Sequence, residues 1–99
     1  MNKVLFEFRY QVYSEKVEGY LRAIQKIKEY AKDNLKGEYY VYRSKKEDDI
    51  FNEIFVCDSE EDYENFEDNL TDEMHDVFED IMSEYAVDST ITYQTYSEI

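Results

Sequence analysis

The sequence predicts an α+β fold of the ferredoxin-like type, a split βαββαβ arrangement in which one antiparallel sheet carries its helices on a single face. Two observations predict it. Four short runs alternate apolar and polar residues while two longer runs repeat apolar residues at helical spacing, and these runs follow one another as strand, helix, strand, strand, helix, strand. The rule that strand-helix-strand crossovers are right-handed then places the first and third strands centrally. Ninety-nine residues suffice for one domain, residues 1–99, with a single core.

Lys3 to Tyr13 alternates, with Val4, Phe6, Phe8, Tyr10 and Val12 on one face and Leu5, Glu7, Arg9, Gln11 and Tyr13 on the other. Ser14 is placed to cap a helix whose apolar stripe runs through Val17, Tyr20, Leu21, Ile24, Ile27, Ala31 and Leu35, with Gly37 as its left-handed stop. Glu38–Ser44 and Ile50–Cys57 form strands joined by a polar segment suited to a hairpin. Ser59 then caps an acidic first turn, and Tyr63, Phe66, Leu70, Met74, Val77, Phe78, Ile81 and Tyr85 hold one stripe. The residues allow either one continuous helix or a break near Asn69 with a restart at Thr71. Ser89–Ser97 closes the chain as a Thr- and Tyr-rich strand.

Charge is divided unevenly. Up to Lys46 there are eleven Lys and Arg against six acids; from Glu47 onward there are nineteen acids and no Lys or Arg. A surface of that sign repels phosphate backbones and anionic lipid, so nucleic acid and membrane are not expected partners. The opening strand is interrupted by Glu7 and Arg9, and no stretch has the ~18 apolar residues of a membrane span. A soluble cytoplasmic protein is the expectation. The lone Cys57 fits a reducing compartment, and the carboxylates near it oppose thiolate formation. One His and one Cys cannot build a transition-metal site, and two glycines cannot build a phosphate-cradling or dinucleotide loop. No metal and no cofactor are therefore expected.

The sheet face away from the helices is expected to carry Leu5, Tyr13 and some of Tyr39, Val41, Phe51 and Phe55 among Glu7, Arg9, Gln11, Arg43 and Glu53. That much aromatic area calls for a cover, and the economical one is a second copy packed about a two-fold axis, with Arg9 or Arg43 pairing Glu7 or Glu53. A homodimer through the sheet face is the expectation.

A first strand running into Ser14-Glu15-Lys16-Val17-Glu18, Gly37 followed by Tyr39-Tyr40-Val41-Tyr42-Arg43-Ser44, Glu53 on the third strand, and Asp58-Ser59-Glu60-Glu61-Asp62-Tyr63 opening the second helix give the chain its likeness to known proteins. It resembles, over nearly its whole length, the dimeric α/β-barrel superfamily and in particular the antibiotic-biosynthesis-monooxygenase-like proteins. The resemblance implies a cavity between sheet and helices and, in some members, oxidation of aromatic polyketides or degradation of haem without a conventional cofactor. Haem-degrading members carry an Asn on the first strand, a Trp, and a His near the second helix. This chain has no Trp, no Asn or His on that strand, and Phe66 about where the His would stand. Haem degradation is thus disfavoured.

Oxygenation of a phenolic substrate needs an apolar chamber and a few polar groups to bind and ionise the hydroxyl. The candidates are Asn52, His75 and Tyr93 for catalysis, and Tyr10, Tyr40, Tyr42 and Asn52 for binding. Buried tyrosines ordinarily pack their rings in the core with the hydroxyl reaching its edge. Asn52 interrupts the apolar set Ile50, Ile54 and Val56, so it either bonds a neighbouring strand or faces a cavity. Histidine is the side chain whose free pKa lies near neutrality, yet His75 stands at the margin of the stripe among acids, where a solvated imidazole is expected. An alternative of a different class is an interaction module whose acidic second helix, with Asp72, Asp76 and Asp80, docks on a basic protein surface by mimicking nucleic-acid charge.

Overall fold

The structure is a computed structural model describing residues 2–99. Strands β1 (Val4–Gln11), β2 (Gly37–Arg43), β3 (Ile50–Cys57) and β4 (Thr92–Ser97) form one antiparallel sheet in the order β2-β3-β1-β4. Helix α1 (Val17–Asn34) connects β1 to β2; α2 (Glu60–Asp68), α3 (Asp72–Asp80) and a π-helical turn (Ile81–Tyr85) connect β3 to β4. The predicted ferredoxin-like split is therefore the observed topology. The two middle strands pair as a hairpin, Gly37 opposite Cys57 and Arg43 opposite Phe51.

The second helical run is broken. Thr71 Oγ1 accepts the Met74 N–H at 3.2 Å and starts α3 anew, much as Ser59 Oγ accepts the Asp62 N–H at 3.2 Å to start α2. The two helices bury their residues in different halves of the core. Phe66 is buried from α2, and Met74, Val77 and Ile81 are buried from α3 and the turn after it.

Two details of α1 differ from expectation. Ser14 opens a short 3-10 turn and donates its hydroxyl to Asp49 at 2.6 Å, so α1 begins at Val17 without a side-chain cap. Asp49, in the left-handed region that Asp tolerates, also takes Arg43 at 2.9 Å, tying the hairpin loop to the helix entry. On the stripe, Leu21 is exposed and Ala23 is buried in its place. Nor is Gly37 a left-handed helix stop. The helix ends with Leu35 already extended, and Gly37 opens β2, where a Cβ would lie 2.2 Å from the Val56 carbonyl oxygen.

The decisive correction concerns β3. Phe51, Glu53, Phe55 and Cys57 are buried beneath the helices, while Ile50, Asn52, Ile54 and Val56 occupy the opposite face. The register with β1 fixes this, since Phe6 faces Phe55, Phe8 faces Glu53 and Tyr10 faces Phe51. The same register carries Tyr39 and Val41 inward beside Phe55 and Glu53, and Tyr40 and Tyr42 outward. Phe51, Phe55, Tyr39, Val41 and Glu53 are thus removed from the outer face, and Glu53 from any ion pair there. Arg9 instead donates to Asn52 Oδ1 at 3.2 Å and to Glu47 at 3.1 Å within the chain.

Gly37→Ala tests the close approach. It is expected to cost about 3 kcal/mol or more, as overpacking against backbone does, read as a lowered midpoint in urea, whereas unchanged stability would mean β2 and β3 lie further apart.

Candidate functional site

Alternation places Glu53 between Phe51 and Phe55 on the buried face of the second central strand. Each aromatic belongs to a different half of the core: Phe51 packs with Tyr10, Tyr20, Ile24 and Ile27, and Phe55 with Phe6, Ala31, Leu35 and Phe66. Glu53 is the one buried charged residue among those described, at 4% exposure. A carboxyl in that position must be hydrogen-bonded. Tyr39 Oη donates to its Oε2 at 2.5 Å and Tyr10 Oη to its Oε1 at 3.4 Å, and the Tyr20 hydroxyl lies 2.8 Å from that of Tyr10.

Desolvation dominates the titration of this group. Burial raises Glu53 from its ordinary value near 4.5 to about 7, with the bonds from Tyr39 and Tyr10 pulling the other way by favouring the ionised form. The tyrosines are pushed well above their ordinary range, by burial first and by the adjacent carboxyl second for Tyr10 and Tyr39. They remain neutral donors while Glu53 alone titrates near neutrality.

Glu53 also borders an open-sided cavity of about 640 Å³ between the sheet, α2, α3 and the π-helical turn. Phe8 and Phe55 line it from the sheet, Tyr63 and Phe66 from α2, Phe78 from α3, and Tyr93 from β4. Leu70, between the two helices, lines it too, so the break at Thr71 shapes the chamber. Tyr10 and Tyr39 are not among its lining residues. They bond the Glu53 carboxyl, one at each oxygen. A volume of this size lies within the range of small-molecule sites.

Of the predicted residues, Tyr93 and His75 line the cavity, Tyr93 half exposed with its ring 4.8 Å from that of Phe8, and His75 as an exposed member of the wall. Tyr10 points toward the helices and contacts the site through Glu53. Asn52, Tyr40 and Tyr42 do not join them: all three lie on the outer face, where Asn52 takes the neighbouring-strand alternative by accepting from Arg9. Sequence reasoning missed Glu53 as a site residue by assigning it to the outer face. Cys57 held the signal, because a cysteine alternating with two phenylalanines marks a core face more strongly than an isoleucine and valine set does. Cys57 itself is fully buried, its thiol raised to about 11 by burial and then by Asp62 and Asp58.

No family profile matches the sequence, and no curated protein matches it. Solved structures do. A conserved protein from Methanosarcina mazei Go1 superposes with a TM-score of 0.86 at 18% identity, covering 100% of this chain and 95% of that one. A candidate antibiotic biosynthesis monooxygenase from Nitrosomonas europaea gives 0.83 at 10% identity, over 98% and 90% of the two chains. The fold is that of the antibiotic-biosynthesis-monooxygenase-like structures. A mutant of SnoaB, a cofactor-independent oxygenase from Streptomyces nogalater, has the same fold, with a TM-score of 0.76 at 10% identity over 95% and 90% of the chains. The likeness expected from the sequence holds over the full length, and at these identities it concerns the fold.

The raised Glu53 makes stability depend on pH with a definite sign. Between about 4.5 and 7 the native state binds this proton more tightly than the unfolded chain, so stability falls as pH rises through that window, by about 3 kcal/mol in all. Urea titrations from pH 4 to 8 should show this loss in the native chain and its absence in Glu53→Gln. In Tyr39→Phe, which lacks one bond to the ionised form, the Glu53 carboxyl should titrate still higher by NMR.

Proposed function

We propose that the chain binds a small aromatic molecule bearing an acidic hydroxyl in the chamber between sheet and helices, and that Glu53 takes up the hydroxyl proton. One observation carries this reading: a buried carboxyl held by two phenols borders an aromatic-lined cavity. Near neutral pH such a carboxyl is divided between its ionised and protonated forms, the condition under which a group can both take and return a proton. The aromatic part of its wall, Phe8, Phe55, Tyr63, Phe66, Phe78 and Tyr93, can accept a ring.

The chemistry this suits is oxygenation of the kind named for SnoaB. Deprotonation makes the ring electron-rich, the ring passes electrons to dioxygen, and a carbon–oxygen bond forms. The resulting peroxide takes the proton held by Glu53. Loss of water then leaves a carbonyl at the oxidised carbon, so that one oxygen atom ends in product and the other in water.

A second copy of the chain is the proposed cover of the outer sheet face. Leu5, Ile54, Val56, Tyr40, Tyr42 and Tyr96 lie there on neighbouring strands. Tyr42 is 58% exposed and Tyr96 47%. The chain's accessible area of 6708 Å² exceeds the about 6,000 Å² usual for a folded monomer of this mass. The acidic-module alternative, with exposed Asp72, Asp76 and Asp80 on α3, has no partner or paired basic surface among the described residues to support it and is the second reading.

Hydroxylated naphthalenes and anthracenes at about ten times Kd should raise Tm by about 5–10 °C. In Glu53→Gln, oxygen uptake with an oxidisable member of that panel should fall by about 100-fold or more. A flat thermal response across the panel overturns the reading. Sedimentation of the native chain should show a dimer that dissociates on dilution and is lost in Ile54→Arg; a monomer at every concentration removes the second copy.

A further inference from the structure

Three phenols and one carboxyl meet at the middle of the core, and they have few hydrogens to share. Tyr20, on α1, is wholly buried, with its hydroxyl 2.8 Å from that of Tyr10. Its ring is held on three sides, edge-on to Tyr10 at 5.7 Å, tilted on Phe51 at 4.6 Å and edge-on to Tyr85 at 6.2 Å, so the hydroxyl has no room to swing elsewhere. Among the described residues Tyr10 is the one hydrogen-bond partner of that hydroxyl. Tyr10 has two partners, Tyr20 and Glu53 Oε1, and Tyr39 has one, Glu53 Oε2.

The 2.8 Å separation fits donation in either direction between Tyr10 and Tyr20, but the supply of hydrogens does not. A phenol carries one hydrogen, and a buried hydroxyl hydrogen needs an acceptor. If Tyr10 gave its hydrogen to Tyr20, the Tyr20 hydrogen would have no acceptor and Glu53 Oε1 no donor. If Tyr20 gives its hydrogen to Tyr10, Tyr10 gives its own to Glu53 and every hydrogen in the group is placed. A reversed chain, from a protonated carboxyl to Tyr10 to Tyr20, again ends in an orphaned hydrogen, so the order holds in both states of Glu53. Tyr20 is not among the residues that line the cavity.

We infer that Tyr20 is a positioning residue for Glu53: it donates to Tyr10, turns the Tyr10 hydrogen onto the carboxyl, and so favours the ionised form without relaying the proton. A hydroxyl that already accepts a hydrogen bond is a stronger donor, and in this way Tyr20 acts through Tyr10. As part of a site that takes up a ligand's proton, Tyr20 rests on the chamber reading above; its hold on the carboxyl is separate. The other titratable groups around Glu53 are Tyr63, Glu67 and Asp68 of α2, His75 of α3 and Tyr93 of β4, all on the cavity wall. Tyr63 donates to Glu67 at 3.2 Å, and none of the five bonds Glu53, so they form a constant background when Tyr20 is changed.

Carboxyl-carbon NMR of the ligand-free chain from pH 4 to 9 reads the Glu53 midpoint, with the His75 ring followed in the same spectra. In Tyr20→Phe the midpoint should rise by about 0.3 pH unit, because the Tyr10 bond loses only its cooperative part. Tyr10→Phe should raise it further, and adding Tyr20→Phe to Tyr10→Phe should change nothing more, since the path through Tyr10 is already cut. Replacing Tyr20 with 3-fluorotyrosine, a more acidic phenol of nearly the same shape, should lower the midpoint, and this second variant decides the matter if Tyr20→Phe does not fold. A fall in Tyr20→Phe would mean that Tyr20 competes for the Tyr10 hydrogen, and an unmoved midpoint in either variant would mean that it has no hold on the carboxyl. Either result overturns the inference, as does a Tyr20→Phe effect that persists in Tyr10→Phe. If the midpoint moves as expected while no hydroxylated aromatic binds, the chamber reading falls and the positioning role stands.

Discussion

A carboxylate in a protein interior is tolerated only when hydrogen bonds replace the water it has lost, and the arrangement around Glu53 follows from that constraint. Tyr39 reaches it from the neighbouring hairpin strand and Tyr10 from β1, so three strands must be in register for the carboxyl to be satisfied. A slip of one residue in β3 would turn Glu53 out and bring Asn52 in, stranding two phenols in the core. Sheet register and site chemistry are thus fixed by the same contacts.

The chamber has a different origin. The cap at Thr71 separates α2 from α3, and the π-helical turn carries the chain on toward β4. Ile81 and Met82 of that turn line the cavity, as π-helical irregularities often do at sites. β4 is exposed along its length, which leaves the side of the depression next to it open for entry. Close by, Gly19 leaves room for the Tyr85 ring, whose hydroxyl would lie 3.2 Å from any added Cβ.

Element order, the hairpin, both helix starts in the acidic segment and the core face of β1 were legible in the sequence, because each depends on local signals: alternation, helical spacing, or a hydroxyl three residues before the amide it caps. The faces of β2 and β3 were not. In β3 both alternating sets are rich in apolar residues, and each has a single polar interruption, Asn52 in one and Glu53 in the other. A rule that hides the amide and exposes the acid picks the wrong set. Tyr40 and Tyr42 were misplaced for the same reason, since Tyr serves on either face of a sheet.

By itself the sequence determined the topology, the partition of charge into a mixed first half and an acidic second half, and a supply of aromatic side chains large enough for a chamber. Periodicity and composition are properties of neighbours along the chain, and they survive without knowledge of what packs on what. Only the tertiary structure decided that an acid stands at the centre of the core, that two phenols hold it, and that it borders a cavity. Those facts depend on strand register, a relation between segments far apart in sequence, and a single step in it reverses which side chains meet.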